Sequence, residues 1–426
     1  MDILILGGGG REHAVALALA RSPRTGRIWV APGNGGTAAF CENVPLAATD
    51  LAGVLSFCRE KKPDFVVVTP DDPLALGFVD VLEGEGFPCF GPTQAAAQLE
   101  SSKSFAKDFM ARHHIPTAAC VRFDDEAAAR AHARDCAVPV VLKKDGLAQG
   151  KGVVVAMTRD ELLHGLDALC VGGFTPVLFE QFLTGPEVSV LCFTDGETIV
   201  PMPAAQDHKR AFDGDRGDNT GGMGAFTPVS VYTDELAQRC MKEIFRPTVD
   251  GMAREGVPFR GVLYFSLMLT PDGPQVIEYN ARFGDPETQA VLPLLESDLL
   301  DILLACRAGT LAQTPVRFAQ PACACVVLAS GGYPGAYRKG FAITGTDEAQ
   351  ALGCTVFHAG TTVQNGVLVT SGGRVLAVGA QADTLHDALS LAYAGVAKIA
   401  FDGAFFRRDI GQKDVCAQSQ TRGIPS

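Results

Sequence analysis

The segment VIEYNARFGDPE, residues 276–287, carries side chains that could do chemistry. In an extended chain, residues two apart point to one side. Glu278, Asn280 and Arg282 therefore share a face, and Tyr279 takes the other. Carboxylate and amide oxygens suit magnesium or manganese, hard cations that keep waters and nucleotide phosphates as their remaining ligands. An arginine beside them could steady charge on a phosphoryl group in transit. The alternative is a solvated face with an ion pair. The apolar run before Tyr279 and the FGDPE directly after Arg282 favour the site.

A second stretch, VLKKDGLAQGKGVVVA at 141–156, sets Gly146, Gly150 and Gly152 beside Lys143, Lys144 and Lys151. It is not a Walker loop. No Ser or Thr follows the last lysine, and an extended segment follows where a helix should begin. A glycine hairpin between strands can instead fold over phosphates as a flap, its N–H groups facing them. Lys143, on the strand before it, can reach a phosphate as a point charge. An ordinary glycine hairpin would look the same from this stretch alone. The turn GGGGREHA, from Gly7, sits where a dinucleotide fingerprint would sit, but Glu12 or His13 stands where a third small residue is needed. The next strand ends APGN, without an acid for an adenosine ribose, which disfavours nicotinamide cofactors. The turn could bind a phosphate monoester at the helix N-terminus, or be only a tight connection.

These residues need elements to position them. The 426 residues suggest about three domains at roughly 150 residues each. A composition 47% hydrophobic and 20% charged is that of a chain with sizeable cores. The net charge of −12 argues against nucleic-acid backbones and anionic membranes as partners. The 13 cysteines are scattered, without a C-x-x-C, as expected of reduced thiols in the cytoplasm. No apolar run reaches the length of a membrane span, and the chain enters a strand at once, with no signal peptide. Short strands at DILIL, RIWVAP, PDFVVV and PCF alternate with helical segments, which predicts a doubly wound parallel sheet up to about residue 102. Next come a helix at KSFAKDFMARHH, strands around the glycine loop, and an antiparallel pair turning at Asp195 and Gly196. Together these imply a compact α+β lid. A long polar loop is expected over AAQDHKRAFDGDRGDNTGGMGAFTP, then a hairpin turning near Asp272 and Gly273, and a strand-rich tail from about Gln320.

The flap KKDGLAQGKG, the linker EQFL and the metal strand EYNARFGD together resemble the ATP-grasp superfamily. With GGGGREHA, APGNGGT, SSKSFAKDFMARHHIPTA, QDHKR, NTGGMGAFTP, NARFGDPETQ, GGYPG and FHAGT, the chain resembles one family of it, the glycinamide ribonucleotide synthetases. The resemblance runs from residue 7 to about residue 361 in unbroken order. It implies a multidomain α/β and α+β fold. Residues 1–102 would form the doubly wound substrate domain, 103–319 the ATP-grasp core with a mobile lid at about 118–190, and 320–426 a small β-rich domain. The implied reaction joins glycine to 5-phosphoribosylamine with ATP, an early step of purine synthesis.

The resemblance also implies roles. Lys103 and Lys143 would contact nucleotide, as would the flap with Gly146, Gly150, Lys151 and Gly152. Glu180, Gln181, Phe182 and Leu183 would read adenine, and Glu187 the ribose. Glu278 and Asn280 would hold the metal, and Arg282, Lys143 and Asp285 would act in catalysis. Gly9, Gly10, Arg11, Glu12 and Asn34 would face the ribosyl phosphate. Asp207, His208, Lys209, Asn219, Thr220, Gly221, Gly222, Met223 and Gly224, with Asp285, would surround glycine and the amine. The chain departs from the family at Pro186, Asp71, Asp218 and Lys144, and in a short lid segment LCVGGFTPVLFE. YFSLMLT supplies no carboxylate from the preceding strand, which implies a sparse metal site. The rivals are a purine-pathway carboxylase of the same superfamily, a nucleotide-binding regulator without turnover, and a nicotinamide oxidoreductase. The expected form is a stand-alone bacterial type, monomer or weak homodimer, with no nucleic-acid or membrane partner.

Overall fold

The protein is described here by a computed structural model over residues 1–148 and 152–421. Apolar ILILG makes β1 (Ile3–Gly7), buried on both faces. It pairs in parallel with β2 (Ile28–Pro32), which carries β3 (Glu42–Asn43) on its far side. On β1's other edge lie β4 (Phe65–Val68) and β5 (Cys89–Phe90), also parallel. The order β3-β2-β1-β4-β5 reverses direction between β1 and β4, which opens a crevice at their C-terminal ends. The helix Gly10–Ala20 starts in that crevice.

The lid is an antiparallel sheet of β6 (Cys120–Phe123), β7 (Val140–Lys144), β8 (Val153–Ala156) and β9 (Val177–Gln181), ordered β6-β9-β7-β8. Helices Glu126–Asp135 and Arg159–Leu169 cover it through a core of its own, including Ala129, Leu142, Leu166 and Phe179. The lid sheet ends at Gln181, short of residue 190. β10 (Glu187–Asp195) is buried in a different sheet, where it forms the expected hairpin with β11 (Ile199–Pro201).

The polar stretch expected as one long loop is built otherwise. It holds β12 (Gln206–Asp207), β13 (Arg210–Phe212), β14 (Arg216–Asn219) and β15 (Gly224–Thr227). The expected hairpin follows as β16 (Arg260–Thr270) and β17 (Gly273–Asn280), with Gly273 at φ +128° in the turn. β16 also pairs with β10, giving the core sheet β11-β10-β16-β17. The tail contributes β18 (Ala322–Ala329), β19 (Thr355–His358), β20 (Thr361–Gln364), β21 (Val367–Thr370) and β22 (Arg374–Ala382). Its main sheet is β12-β15-β18-β22-β19. Strands from within 206–227 thus belong to the tail's sheet: Gly224 pairs with Val326. The polar residues of this stretch hid that pairing, because the partner strand lies far along the chain.

Candidate active site

A cavity of about 660 Å³ lies where the lid sheet, the core sheet, the β1–β4 crevice and the tail meet. One wall is β17. Glu278 pairs with Ser266 and Asn280 with Tyr264, and a register shift beside Ser266 lets the strand bend. Glu278, Asn280 and Arg282 all line the cavity, as the alternation requires. Burial pushes the Glu278 carboxyl up, but Lys209, Lys143, Lys103 and Arg282 outweigh it and hold the group below its ordinary range. Among the described residues, its carboxylate forms no hydrogen bond or ion pair, so its oxygens are free for a ligand. Asn280 Oδ1 accepts from Arg282 Nη2 at 3.0 Å, and an amide oxygen has a second lone pair to offer. Two oxygen donors suit magnesium, provided waters and phosphates complete the shell. No group of three or more His, Cys, Asp or Glu among the described residues makes a fuller cage.

Opposite β17, the lid and the helix Lys103–Arg112 build a buried ionic knot. Glu180 Oε2 faces Lys143 Nζ at 3.0 Å and Lys107 Nζ at 3.1 Å. Lys143 also donates to the Ile277 carbonyl at 2.8 Å, tying the lid to β17. Lys107 donates to Thr117 Oγ1 at 2.8 Å and the Ala118 carbonyl at 3.0 Å. Glu180 Oε1 is buried and has no partner among the described residues. Lys103 donates to the Gly146 carbonyl at 2.8 Å. That places Lys103 at the base of the flap, although Gly146 itself does not line the cavity. Gly152, Gln181, Phe182 and Leu183 do. Gly150 and Lys151 lie outside the described residues.

Glu187 pairs with Lys209 at 2.7 Å, joining β10 to the segment after β12. Asp207 lines the cavity next to them. Burial pushes its carboxyl up to about 7, against the pull of Lys209 and helped by Glu287 and Glu187. Glu287 is buried and accepts from Tyr264 Oη at 2.8 Å. Asn219, Thr220 and Gly221 also reach the cavity. Gly222, Met223 and Gly224 do not line it; Met223 and Gly224 are buried, and the Met223 N–H donates to the His208 carbonyl at 2.8 Å. The His208 ring is turned toward the tail, where its Nε2 accepts from the Gly411 N–H at 3.3 Å.

The β1 crevice departs most from expectation. The Gly9 N–H donates to Glu12 Oε2 at 2.6 Å, and the Arg11 N–H to Asp285 Oδ2 at 3.4 Å. Carboxylates of the chain therefore already sit where a phosphate monoester was expected at the helix N-terminus. Glu12 is buried and also accepts from Thr69 Oγ1 at 2.8 Å, bracing β4 against the turn. Asn34 is spent on backbone. Its Nδ2 donates to the carbonyls of Gly8 at 3.0 Å and His358 at 2.9 Å, and its Oδ1 accepts from Gly36 and Thr37. Gly9, Gly10, Glu12 and Asn34 shape the crevice without lining the cavity; Arg11 and Asp285 line it.

Several lining residues were not anticipated. Glu100 pairs with Arg282 at 3.0 Å. Arg374 on β22 donates to the carbonyls of Gly221 and Asp285, each at 2.6 Å. Tyr333 Oη accepts from the Gly221 N–H at 3.0 Å. Each is far in sequence from its partner, and only the GGYPG motif, which contains Tyr333, hinted at one of them.

This geometry has relatives. Family models match in order: phosphoribosylglycinamide synthetase N domain over residues 1–100, ATP-grasp (A) domain over 101–288 and C domain over 323–413. A phosphoribosylamine–glycine ligase of Mesorhizobium japonicum is 49% identical over 422 residues, 98% of this chain and 99% of that protein. The trifunctional purine biosynthetic protein adenosine-3 of Gallus gallus is 48% identical over 432 residues, but this chain spans 43% of its length. Among solved structures, phosphoribosylamine–glycine ligase of Thermotoga maritima superposes with a TM-score of 0.85 at 34% identity, over 96% of this chain and all of that one. A biotin carboxylase domain of Hydrogenobacter thermophilus, 14% identical with a TM-score of 0.71, shares the fold. The chain belongs to the phosphoribosylglycinamide synthetase family, whose central domain is an ATP-grasp domain.

Proposed function

We propose that this chain joins glycine to 5-phosphoribosylamine, converting ATP to ADP and phosphate, through glycyl phosphate. The observation that carries this reading is one cavity in which three cationic groups, Lys103, Lys143 and Arg282, lie with Glu278 and Asn280. A carboxylate resists attack by an amine, because its charge repels the nucleophile and oxide leaves badly. Transfer of the γ-phosphoryl group to a glycine carboxylate oxygen removes both obstacles. Glu180 to Leu183 and Glu187 would hold the nucleoside, and Lys103 and Lys143 its phosphates. Glu278 and Asn280 would hold magnesium, which when bound supplies charge neutralisation at those phosphates. Arg282 would steady the oxygens in transit. The ribosylamine nitrogen then attacks the acyl carbon, phosphate leaves, and the nitrogen sheds a proton. Asp207, with its carboxyl near 7, is suited to take that proton. A closed lid would keep water from the acyl phosphate.

The segments 1–102, 103–319 and 320–426 serve as working domains, with β12 and β15 lent to the last one's sheet. A cytoplasmic enzyme fits the free state of all 13 cysteines. No helix among the described residues is long and apolar enough to cross a membrane. We take glycine, the ribosylamine and ATP as its partners, and a monomer or weak homodimer as its state. Purified protein given ATP, glycine and phosphoribosylamine, with each withheld in turn, tests the reading. ADP release that needs both co-substrates supports it. Release that needs bicarbonate instead would favour a carboxylase, and no release would favour a regulator.

A further inference from the structure

Glu100 lies in the last turn of the helix Gln94–Ser101. Ser102 ends that helix and caps the next, accepting from the Phe105 N–H at 3.1 Å. The backbone that carries Glu100 is therefore pinned from both sides. Its carboxylate crosses to the end of β17, more than 180 residues away in sequence. Oε2 accepts from the Ala281 N–H at 2.7 Å, and Oε1 pairs with Arg282 Nη2 at 3.0 Å. The Glu100 side chain is only 9% exposed and that of Arg282 18%.

The ion pair is part of a longer chain of contacts. The same Nη2 donates to Asn280 Oδ1 at 3.0 Å, and Nη1 donates to the Phe283 carbonyl at 3.1 Å. Nε is buried and has no partner among the described residues. Glu100 thus holds the first peptide beyond β17 with one oxygen and the guanidinium with the other. The guanidinium in turn orients the Asn280 amide. Without Glu100, the carboxylates that still act on Arg282 include Asp71, Glu287 and Glu278, which also line the cavity.

We infer that Glu100 is a positioning residue for the phosphoryl-transfer site: it fixes the exit of β17 and the direction of the Arg282 guanidinium, and through Arg282 the Asn280 amide. The inference rests on the ligase reading for its kinetic consequence, but its structural half does not. Glu100 is the last residue matched by the N-domain family model, while Arg282 lies in the ATP-grasp match. The contact therefore couples the two matched regions.

The test uses the whole chain with Glu100→Ala and Glu100→Gln, each also in an Arg282→Ala background. For Glu100→Ala we expect kcat to fall about 100-fold while KM for ATP changes less than about twofold. Glu100→Gln keeps the volume and one acceptor, and should recover about tenfold of that loss. In the Arg282→Ala background, Glu100→Ala should cost less than about threefold more, because the partner it acts through is gone. Hydrogen exchange provides a reading without turnover. The Ala281 amide should exchange faster in ligand-free Glu100→Ala and stay protected in Glu100→Gln. A Glu100→Ala enzyme within about threefold of wild type in kcat, or one whose loss is repeated in full without Arg282, overturns the positioning role. Unchanged Ala281 exchange overturns the clamp. If wild type makes no ADP with both co-substrates, the ligase reading fails, and the exchange arm still decides whether Glu100 holds β17.

Discussion

Replacing Glu180 by Gln should be more damaging to stability than replacing either lysine it holds. The side chains of Glu180, Lys143 and Lys107 are 4%, 5% and 9% exposed. One carboxylate there faces two ammonium groups, so the knot already carries an excess positive charge. Glu180→Gln leaves two buried cations against a neutral amide. Removing one partner of a buried pair costs about 3–5 kcal/mol. Lys107→Met instead leaves one carboxylate with one ammonium. Its cost is the hydrogen bonds to Thr117 and the Ala118 carbonyl, about 1–2 kcal/mol. The difference between the two variants is therefore about 2 kcal/mol. Burial already lowers the proton affinity of Lys107, Glu180 raises it, and Lys143 lowers it again. Without Glu180, protonation of Lys107 favours the unfolded chain still more, so the variant should gain stability as pH rises from 7 to 9. Urea unfolding followed by circular dichroism at several pH values measures both effects. If Lys107→Met unfolds at the same urea concentration as Glu180→Gln, or earlier, the charge count proposed for this knot is wrong.

Three further outcomes are expected. Glu278→Gln should still fold and lose at least about 100-fold in kcat at ordinary magnesium, since about 3 kcal/mol of charge stabilisation disappears; near-normal turnover would remove Glu278 from the metal site. Acid should weaken the seam between the first helix and β19, where His13 Nδ1 accepts from the His358 N–H at 2.7 Å and burial, with His358 adding, depresses the His13 pKa from 6.5 to about 3. A depressed histidine stabilises the fold above its unfolded pKa, and that contribution is lost as pH falls. By pH 5 His13 alone has given up about 2 kcal/mol, so His13→Asn, which can keep an acceptor but cannot titrate, should flatten the fall of melting temperature between pH 6.5 and 5, and an unchanged slope would clear His13. Gly36→Ala, whose added carbon would lie 2.5 Å from the His358 ring and 2.6 Å from that of His13, should lower the melting temperature at every pH, and a silent substitution would contradict the tight seam.

What the sequence made legible was local. Alternation in VIEYNAR placed Glu278, Asn280 and Arg282 on one face because a strand repeats every two residues and the hairpin partner follows at once. The parallel sheet was readable because its strands are continuous apolar runs. Neither signal extends to contacts between distant segments. Glu100 looks like one more acid on a polar helix until β17 arrives beside it. Arg374 and Lys107 are similarly silent. Glu12 and Asn34 point the other way: their motifs resemble a substrate loop, yet their side chains are committed to backbone amides and carbonyls that make the loop's shape. A motif marks a place, and does not distinguish a residue that touches the ligand from one that holds the loop. The polar 204–228 stretch read as loop for a related reason. Its β15 is paired by β18, and pairing at that separation leaves no local period to detect.

The central claim is that glycine is activated as an acyl phosphate in the cavity beside β17. Glycine labelled with heavy oxygen in both carboxylate positions tests it most directly, with the enzyme turning over ATP and phosphoribosylamine and the released phosphate examined by mass spectrometry. The account predicts one labelled oxygen in each phosphate, one retained in the amide, and ADP as the nucleotide product. Phosphate without label, or AMP and pyrophosphate in place of ADP, would contradict it and would take Arg282, Glu278 and Asn280 out of the roles proposed for them.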